Sequence, residues 1–488
     1  HQIIIAERET RANMTREEKK ALAAKRKEIR EANKERYGWA TIDGEHTQLG
    51  NYTVEPSSIF MGRGQHPMRG KWKEGPRHED VELNHSPNVP YPPGAWKKIY
   101  WEPETMWIAR WKDKLSNKIK YVWPHDSSTI KQRKDIDKFN KAREFRKNIK
   151  KVKNYINDNL DSDDLTRKQT ATVTFLIDHC KFRVGDEKNE DEAETIGAST
   201  LRPEHINFNR NGTVTFNFIG KDSVRHTLCV AIPDSVVNNL KEFSGDPEKP
   251  LFEKVNSERV SHFLDEVMTG LSAKVFRTHY ATTAVESALN RTQVAPETLE
   301  YVKKHVAIMA NLEAAKVCNH KRSIPKTWEQ SLQKKRDRLE TRKVKAREKE
   351  KKLKQKTVET KEKYKERLGN YHLKLEKHKV KLEEYKGKFE ERRLQEKSTK
   401  GIEKRIASKK RAIRTQRERN KNLKIKQRER LEKLKMRILQ IKKRDREAIQ
   451  KLKLQITAQA ETRDYNLGTS MKSYIDPRIY YNWSQKVD

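Results

Sequence analysis

The sequence predicts a mainly α-helical protein with a smaller α+β lobe at its N-terminal end and a long antiparallel coiled coil toward its C-terminal end. Three observations carry that prediction. From about Lys326 to Ile456 the composition collapses to Lys, Arg, Glu, Gln and Leu, with apolar residues at 4-3 spacing. From Trp39 to about Trp123 Gly and Pro are frequent, and short β-rich runs replace the helical pattern. Between them, from about Asp135 to Pro325, the pattern is mainly helical with one β insertion.

The elements follow in order. Thr15-Arg-Glu-Glu18 is a capping box that opens a charged helix ending before Gly38. In the next region Thr105–Trp111 and Lys118–Trp123 read as strands, and His85–Gly94 as a Pro-rich loop. Ile206–Phe208, a turn at Asn211-Gly212 and Thr213–Ile219 form a hairpin signal. Gly220–Ser223 is a second tight turn, into Val224–Val230. In the charged region Tyr364, Leu368, Tyr371, Leu375, Leu382, Tyr385 and Phe389 line one helix face. Leu431, Leu434, Ile438, Ile441, Ala448 and Leu452 line a second, with a break at Ser398–Gly401. Such a pair carries geometry and charge rather than chemistry. From about Ala458 the texture is mixed again, with Gly468, Pro477 and aromatic residues.

A chain of 488 residues has room for several domains, and only 33% of it is hydrophobic, so part is extended and solvated. The formal net charge of +39 points to a polyanionic partner, nucleic acid ahead of an anionic membrane. No run of eighteen apolar residues exists, so no membrane span is expected. The first residue is His1, not Met, and no signal peptide is visible, so a fragment is expected. Cys180, Cys229 and Cys318 lie far apart without a CxxC pair, which fits a reducing compartment and no Cys-rich zinc site.

Cutting a phosphodiester without metal or nucleotide needs a positioned nucleophile, cations facing the non-bridging oxygens, and an acid for the departing sugar oxygen. Candidates are Arg183, after the apolar run Val173–Asp178; Lys221, on the Gly220–Ser223 turn; Arg277; His320; and Tyr474. Alone each is weak. There are 109 basic residues and fifteen tyrosines, and Tyr480 and Tyr481 are equally available as nucleophile. Spacing and composition do not single these five out.

Longer strings do. Gly62–Pro67, Phe218–Ser223, Ala273–Thr278, Val317–His320, Leu467–Ser470 and Tyr474–Arg478 resemble, in order, those of the eukaryotic-type topoisomerase IB family. The resemblance implies Arg183, Lys221, Arg277 and His320 as the activating set and Tyr474 as nucleophile, with no metal ligands and no cofactor. It implies duplex DNA as partner, contacted through Arg63, Lys131, Gln132, Val184, Gly185, Asp186, Glu187, Lys188, Asp222, Ser272, Ala273 and Lys274. It implies a monomeric clamp and inhibition by camptothecin-type compounds at a pocket that includes Ser473. The implied domains are a cap-side region (1–134), a catalytic core like that of the tyrosine recombinases (135–325), a coiled-coil linker (326–456) and a segment carrying the tyrosine (457–488).

Departures from the family pattern carry expectations too. The family's tail and the first part of its cap are missing, which predicts an incomplete clamp. Asp186 and Ser473 stand where the family has Asn. The longer linker and divergent cap suggest an archaeal source, with action in the nucleoid or cytoplasm; a eukaryotic source implies the nucleus. A site-specific tyrosine recombinase would lack the long coil and carry His where this chain has Lys274. A non-enzymatic basic coiled-coil DNA binder would explain the charge but not the ordered strings.

Overall fold

The computed structural model describes residues 2–52, 54–62, 66–186, 195–247 and 249–487, with the side chains of 2–5, 7, 8 and 222 left aside. They divide into two units. The first holds residues 1–293, 310–323 and 465–488; the second holds 294–309 and 324–464.

The first unit begins with α1 (Gln2–Asn13), which the sequence reading did not anticipate, and α2 (Arg16–Tyr37). The Thr15–Glu18 box is formed: Thr15 N–H donates to the Glu18 carboxylate at 2.7 Å, and Glu18 N–H to Thr15 Oγ1 at 3.2 Å. Strands β1 (Trp39–Ile42) and β2 (Glu45–Gln48) pair as a hairpin, as do β3 (Ser58–Ile59) and β4 (Trp72–Lys73). A four-stranded sheet is built from β5 (Val81–Asn84), β6 (Lys98–Tyr100), β7 (Ala109–Lys112) and β8 (Ile119–Val122), in the order β6-β5-β7-β8. Leu49, Val81, Leu83, Trp111 and Val122 close over it as a small core.

The expected strand over Thr105–Trp111 is realised only in its second half. The Asn84 amide donates to the carbonyls of Glu102 and Trp107 and to Thr105 Oγ1, and Trp107 Nε1–H donates to Glu102. Side chains take the place of a ladder there, and the first half stays a loop.

The larger core lies behind α3 (Thr129–Asp158), which starts six residues before the expected boundary at Asp135 because Ser128 caps it. Packed with it are α4 (Leu165–Cys180), the antiparallel sheet β9 (Ile206–Phe208), β10 (Thr213–Gly220) and β11 (Val224–Ala231), then α5 (Asp234–Phe243), α6 (Ser257–Asp265) and α7 (Ala273–Arg291). Phe145, Phe216, Phe252 and Phe276 are fully buried within it. The turn at Asn211-Gly212 falls where expected, with Gly212 at φ 75. Helix α8 (Glu300–Val317) precedes the loop of His320.

The second unit is dominated by α9 (Trp328–Leu394, 67 residues) and α10 (Lys400–Glu461, 62 residues). At about 1.5 Å per residue each is on the order of 100 Å long. They run antiparallel: Arg342 meets Asp445 at 2.6 Å, and Glu350 meets Lys442 at 2.9 Å. Leu375, Leu382 and Ile413 form the seam expected from the 4-3 pattern. The expected break is real and begins three residues earlier, at 395–399, since Gly401 already lies inside α10.

The chain returns to the first unit through α11 (Leu467–Ser473) and α12 (Pro477–Val487). Among the described residues no helix is long and apolar enough to cross a membrane.

Candidate active site

Three of the five candidates converge, although they stand at 277, 320 and 474 in the chain. Arg277 is in the first turns of α7, between buried Phe276 and Thr278, and is itself 4% exposed. Its Nη2 donates to the Cys318 carbonyl at 2.8 Å and to His320 Nε2 at 3.0 Å, while Nη1 donates to the Lys181 carbonyl. Lys181 ends α4 in the left-handed region, at φ 60, which turns that carbonyl out of the helix. Arg277 Nε is buried and has no hydrogen-bond partner. An unpaired donor on a buried cation is costly, so the site holds an unfilled demand for an acceptor.

A guanidinium can only donate, so His320 Nε2 accepts and the ring proton sits on Nδ1. Nδ1–H then donates to Ser470 Oγ at 2.7 Å. Burial, with Arg277 and Arg183 close by, holds the His320 pKa down at about 3, so the ring is neutral at physiological pH. Tyr474 completes the cluster: its ring centre is 5.1 Å from that of His320 and 5.3 Å from the Arg277 guanidinium carbon.

The Tyr474 segment is held by its own chain. Asn466 N–H donates to the His320 carbonyl at 2.6 Å, and Lys321 bridges Tyr465, so the residues that lead into α11 are pinned to the histidine loop. Ser470 is fully buried, and its carbonyl accepts from Tyr474 N–H at 3.0 Å. Thr282 Oγ1 donates to the Tyr474 carbonyl and accepts from Asp476 N–H, both at 3.1 Å. Burial alone would raise the Asp476 pKa. Hydrogen bonds from Arg478 and the charge of Arg143 overcome it, and the carboxylate stays ionised below the usual range.

Arg183 follows α4 in an extended stretch clamped to 197–200. Its carbonyl accepts from Ala198 N–H at 2.8 Å and the Val184 carbonyl from Ser199 N–H at 3.0 Å. The two segments approach so closely that a Cβ on Gly197 would fall 2.3 Å from the Val184 oxygen. Gly185, at φ 102, would bring one within 2.8 Å of Gly197. Val184 and Gly185 are therefore fixed in place beside Arg183, whose charge reaches both His226 and His320.

Lys221 is exposed, on the short turn that joins β10 to β11. Asp186 does something the sequence did not suggest: its Oδ1 accepts from Ser257 N–H at 2.8 Å, at the start of α6. Lys131 and Gln132 lie in the first turn of α3, with Lys131 paired to Asp126 at 3.2 Å. Ser272, Ala273 and Lys274 form the open N-terminus of α7, where Ser272 makes no side-chain cap bond. Ser473 is half-buried at the last residue of α11. Arg63, Glu187 and Lys188 lie outside the described residues, as does the side chain of Asp222. Among the described residues no group of three or more His, Cys, Asp or Glu is arranged to hold a metal ion.

Sequence reasoning missed Ser470, Thr282, Asn319 and His226. Ser470 lay inside a quoted string, but nothing in a string tells which ring nitrogen a hydroxyl will meet.

With the geometry in hand, three family models match the chain. The eukaryotic DNA topoisomerase I catalytic core covers residues 127–357, the DNA binding fragment of the same family covers 1–124, and the C-terminal topoisomerase domain covers 446–488. DNA topoisomerase 1 beta of Arabidopsis thaliana is 34% identical over 329 residues, 66% of this chain and 35% of that protein. DNA topoisomerase 1 of Candidozyma auris is 34% identical over 340 residues, 68% of this chain and 45% of that protein. DNA topoisomerase I, mitochondrial, of Rattus norvegicus is 32% identical over 360 residues, 71% of this chain and 60% of that protein. The matched part thus spans between 35% and 60% of these relatives' length. They come from a plant, a yeast and a mammal, and lend the archaeal expectation no support.

Proposed function

The chain belongs to the eukaryotic-type topoisomerase IB family, and from that premise we propose that it relaxes supercoiled duplex DNA by cutting and resealing one strand. Tyr474 Oη gives its proton to solvent water and attacks the phosphorus. A P–O bond to tyrosine forms and the bond to the 5′ oxygen breaks, which leaves a 3′ phosphotyrosine and a 5′ hydroxyl. The free end rotates. The hydroxyl then gives its proton back to Lys221 and attacks the phosphotyrosine, the P–O bond to tyrosine breaks, Tyr474 is reprotonated from water, and the strand is restored without ATP because the bond energy was kept.

Arg183, Arg277 and His320 hold the non-bridging oxygens, and Lys221 gives the departing 5′ oxygen its proton. An arriving phosphate supplies the acceptor that Arg277 Nε lacks. It also competes for the Nη2 hydrogen now spent on His320, which frees Nε2. Its negative charge raises the pKa of the imidazole, so His320 can then donate. DNA contacts come from Lys131, Gln132, the Val184–Lys188 stretch, Asp222, Arg63 and the α7 terminus at Ser272–Lys274, a helix N-terminus that suits a phosphate. In this reading residues 1–134 form the cap side of a monomeric clamp. Residues 135–325 with 457–488 form a recombinase-like catalytic domain, 326–456 form the linker, and a eukaryotic source places the action in the nucleus.

The observation that carries the reading is the convergence of Arg277, His320 and Tyr474 from three distant segments into one buried cluster. Tyr474→Phe removes one oxygen and little packing. It should abolish the covalent protein–DNA complex on a denaturing gel while DNA affinity, which comes from many basic contacts, stays nearly intact. Tyr480→Phe and Tyr481→Phe are the controls, and substantial relaxation by the Tyr474→Phe protein would sink the assignment.

Camptothecin-type trapping belongs to the same reading. Ser473 offers a short hydroxyl where the family has an amide, a difference of about threefold to tenfold in affinity for one hydrogen bond. Ser473→Asn should increase trapped complex at a fixed drug concentration; coincident titration curves would show that this position does not limit the drug.

A further inference from the structure

The turn that carries Lys221 is tied to the histidine loop by a side chain that has had no role so far. His226 is on β11 opposite Phe218, and its ring stacks on Phe218 with centres 5.1 Å apart and planes 4° from parallel. Gly220, the residue before Lys221, lies under the same ring: a Cβ there would fall 2.7 Å from His226 Nε2 and 2.8 Å from Cδ2. Only a residue without a Cβ lets the imidazole lie over the end of β10. The other edge of the ring faces Asn319, whose side-chain amide is hydrogen-bonded to Nδ1. Asn319 is left-handed, at φ 49, and stands between Cys318, whose carbonyl holds Arg277, and His320.

The chemistry of the contact is defined. Burial, then the charges of Arg277, Lys321 and Arg183, hold the His226 pKa down at about 4. The ring is neutral, so Nδ1 accepts from the Asn319 amide N–H and the ring hydrogen is on Nε2. One hydrogen bond therefore links the hairpin to the loop from which Arg277 and His320 are held. Lys221 itself is exposed at the tip of that hairpin, where a two-strand end would otherwise be free to swing.

We propose that His226 and Asn319 are positioning residues that lock the Lys221 turn against the His320 loop, so that the proton donor and the phosphate-holding groups keep one geometry. The proposal rests on the reading of Lys221 as the acid that protonates the 5′ oxygen. A displacement of about 1 Å at such a group can cost up to roughly 10²-fold in rate.

The test uses single-turnover cleavage by the full chain on two duplex substrates, one with oxygen and one with sulfur as the 5′ bridging atom. Sulfur leaves without a proton, so a defect in acid catalysis disappears on it, whereas a defect in binding or in transition-state stabilisation does not. Lys221→Ala should be slowed roughly 10²–10⁴-fold on oxygen and largely rescued on sulfur. His226→Phe keeps the ring stack and loses the acceptor. It should be slowed roughly 10- to 100-fold on oxygen and rescued on sulfur. Asn319→Ala should behave the same way, which covers the case that the Phe variant folds poorly. His226→Asn, which puts an amide oxygen near the place of Nδ1, should recover part of the rate. Lys221→Ala combined with His226→Phe should be no slower than Lys221→Ala alone.

Rescue of Lys221→Ala by sulfur, with His226→Phe and Asn319→Ala either undiminished on oxygen or equally slow on both substrates, overturns the positioning role and leaves Lys221 as the acid. An equal defect of Lys221→Ala on both substrates overturns the acid reading and the positioning proposal with it.

Discussion

Three histidines of the first unit, His279 and His320 buried and His226 half-buried, have pKa values held well below the ordinary 6.5: His226 and His279 at about 4, His320 at about 3. In each case burial is the first cause and neighbouring cations the second. His279 sits edge-on to Phe145 at 5.2 Å, in the wall of the main core. Each ring is neutral when folded and takes up a proton more readily when the chain unfolds. Their contribution to stability is therefore fully present above about pH 6.5 and is lost as pH falls toward 4 and then 3. Carboxylates titrate mostly below that window, so the interval from pH 7 to pH 5 isolates the histidines. The thermal midpoint of the first unit should fall across it, and His279→Phe should remove part of the slope. A midpoint that stays flat from pH 7 to pH 5 would show that these rings do not fold neutral. None of this was legible in the sequence, where a histidine beside an arginine is one of many. The string that contains His320 could be recognised, but its neutrality depends on Arg277 and Ser470, which are distant in the chain.

At the scale of elements the sequence was most legible where the period was longest. The 4-3 rows of α9 and α10 announce an apolar seam whatever the rest of the protein does. Short strands are different. The Thr105–Trp111 run has the composition of a strand, and the Asn84 amide captures its first half as a loop. The seam also holds a polar layer that periodicity cannot reveal. Asp445 is 4% exposed and pairs with Arg342 at 2.6 Å, while Asp445 Oδ2 and Arg342 Nε remain unpartnered. Such a layer is worth little net stability and much register, because any slip of one helix along the other strands a buried carboxylate. Arg342→Ala alone should destabilise the second unit by about 1–3 kcal/mol, the cost of a buried acceptor left bare. Changing both together, Arg342→Met with Asp445→Leu, should restore or raise its melting temperature. If the double change is as damaging as the single one, the pair supplies stability itself rather than register.

The charge of the whole molecule is unevenly held. Between residues 328 and 461 there are 49 Lys and Arg against 21 Asp and Glu, a surplus of 28 out of the chain's +39. The composition that first pointed to a polyanion therefore describes the helical pair more than the unit with the buried arginine, histidine and tyrosine. Charge on the pair and chemistry in the other unit should then be separable. The register supplies the place to cut: Arg342 and Asp445 face each other, so residues 343–444 can be replaced by a short Gly/Ser loop that joins the two stubs. The stubs keep buried Leu332, the Ser331–Gln459 contact and the stacking of Arg463 on Trp328. Single-turnover cleavage at low salt should survive in this variant, since none of the five proposed catalytic residues is removed. Relaxation should lose processivity at lower salt than in the full chain. Fewer basic groups are left to hold duplex DNA, and the logarithm of an affinity carried by phosphate contacts falls linearly with the logarithm of salt. The slope of that line should also be shallower, because each phosphate no longer neutralised removes about 0.9 from it on duplex DNA. Loss of cleavage in a folded variant would give the helical pair a part in the chemistry. An unchanged slope would mean that its surplus of charge never meets the DNA backbone.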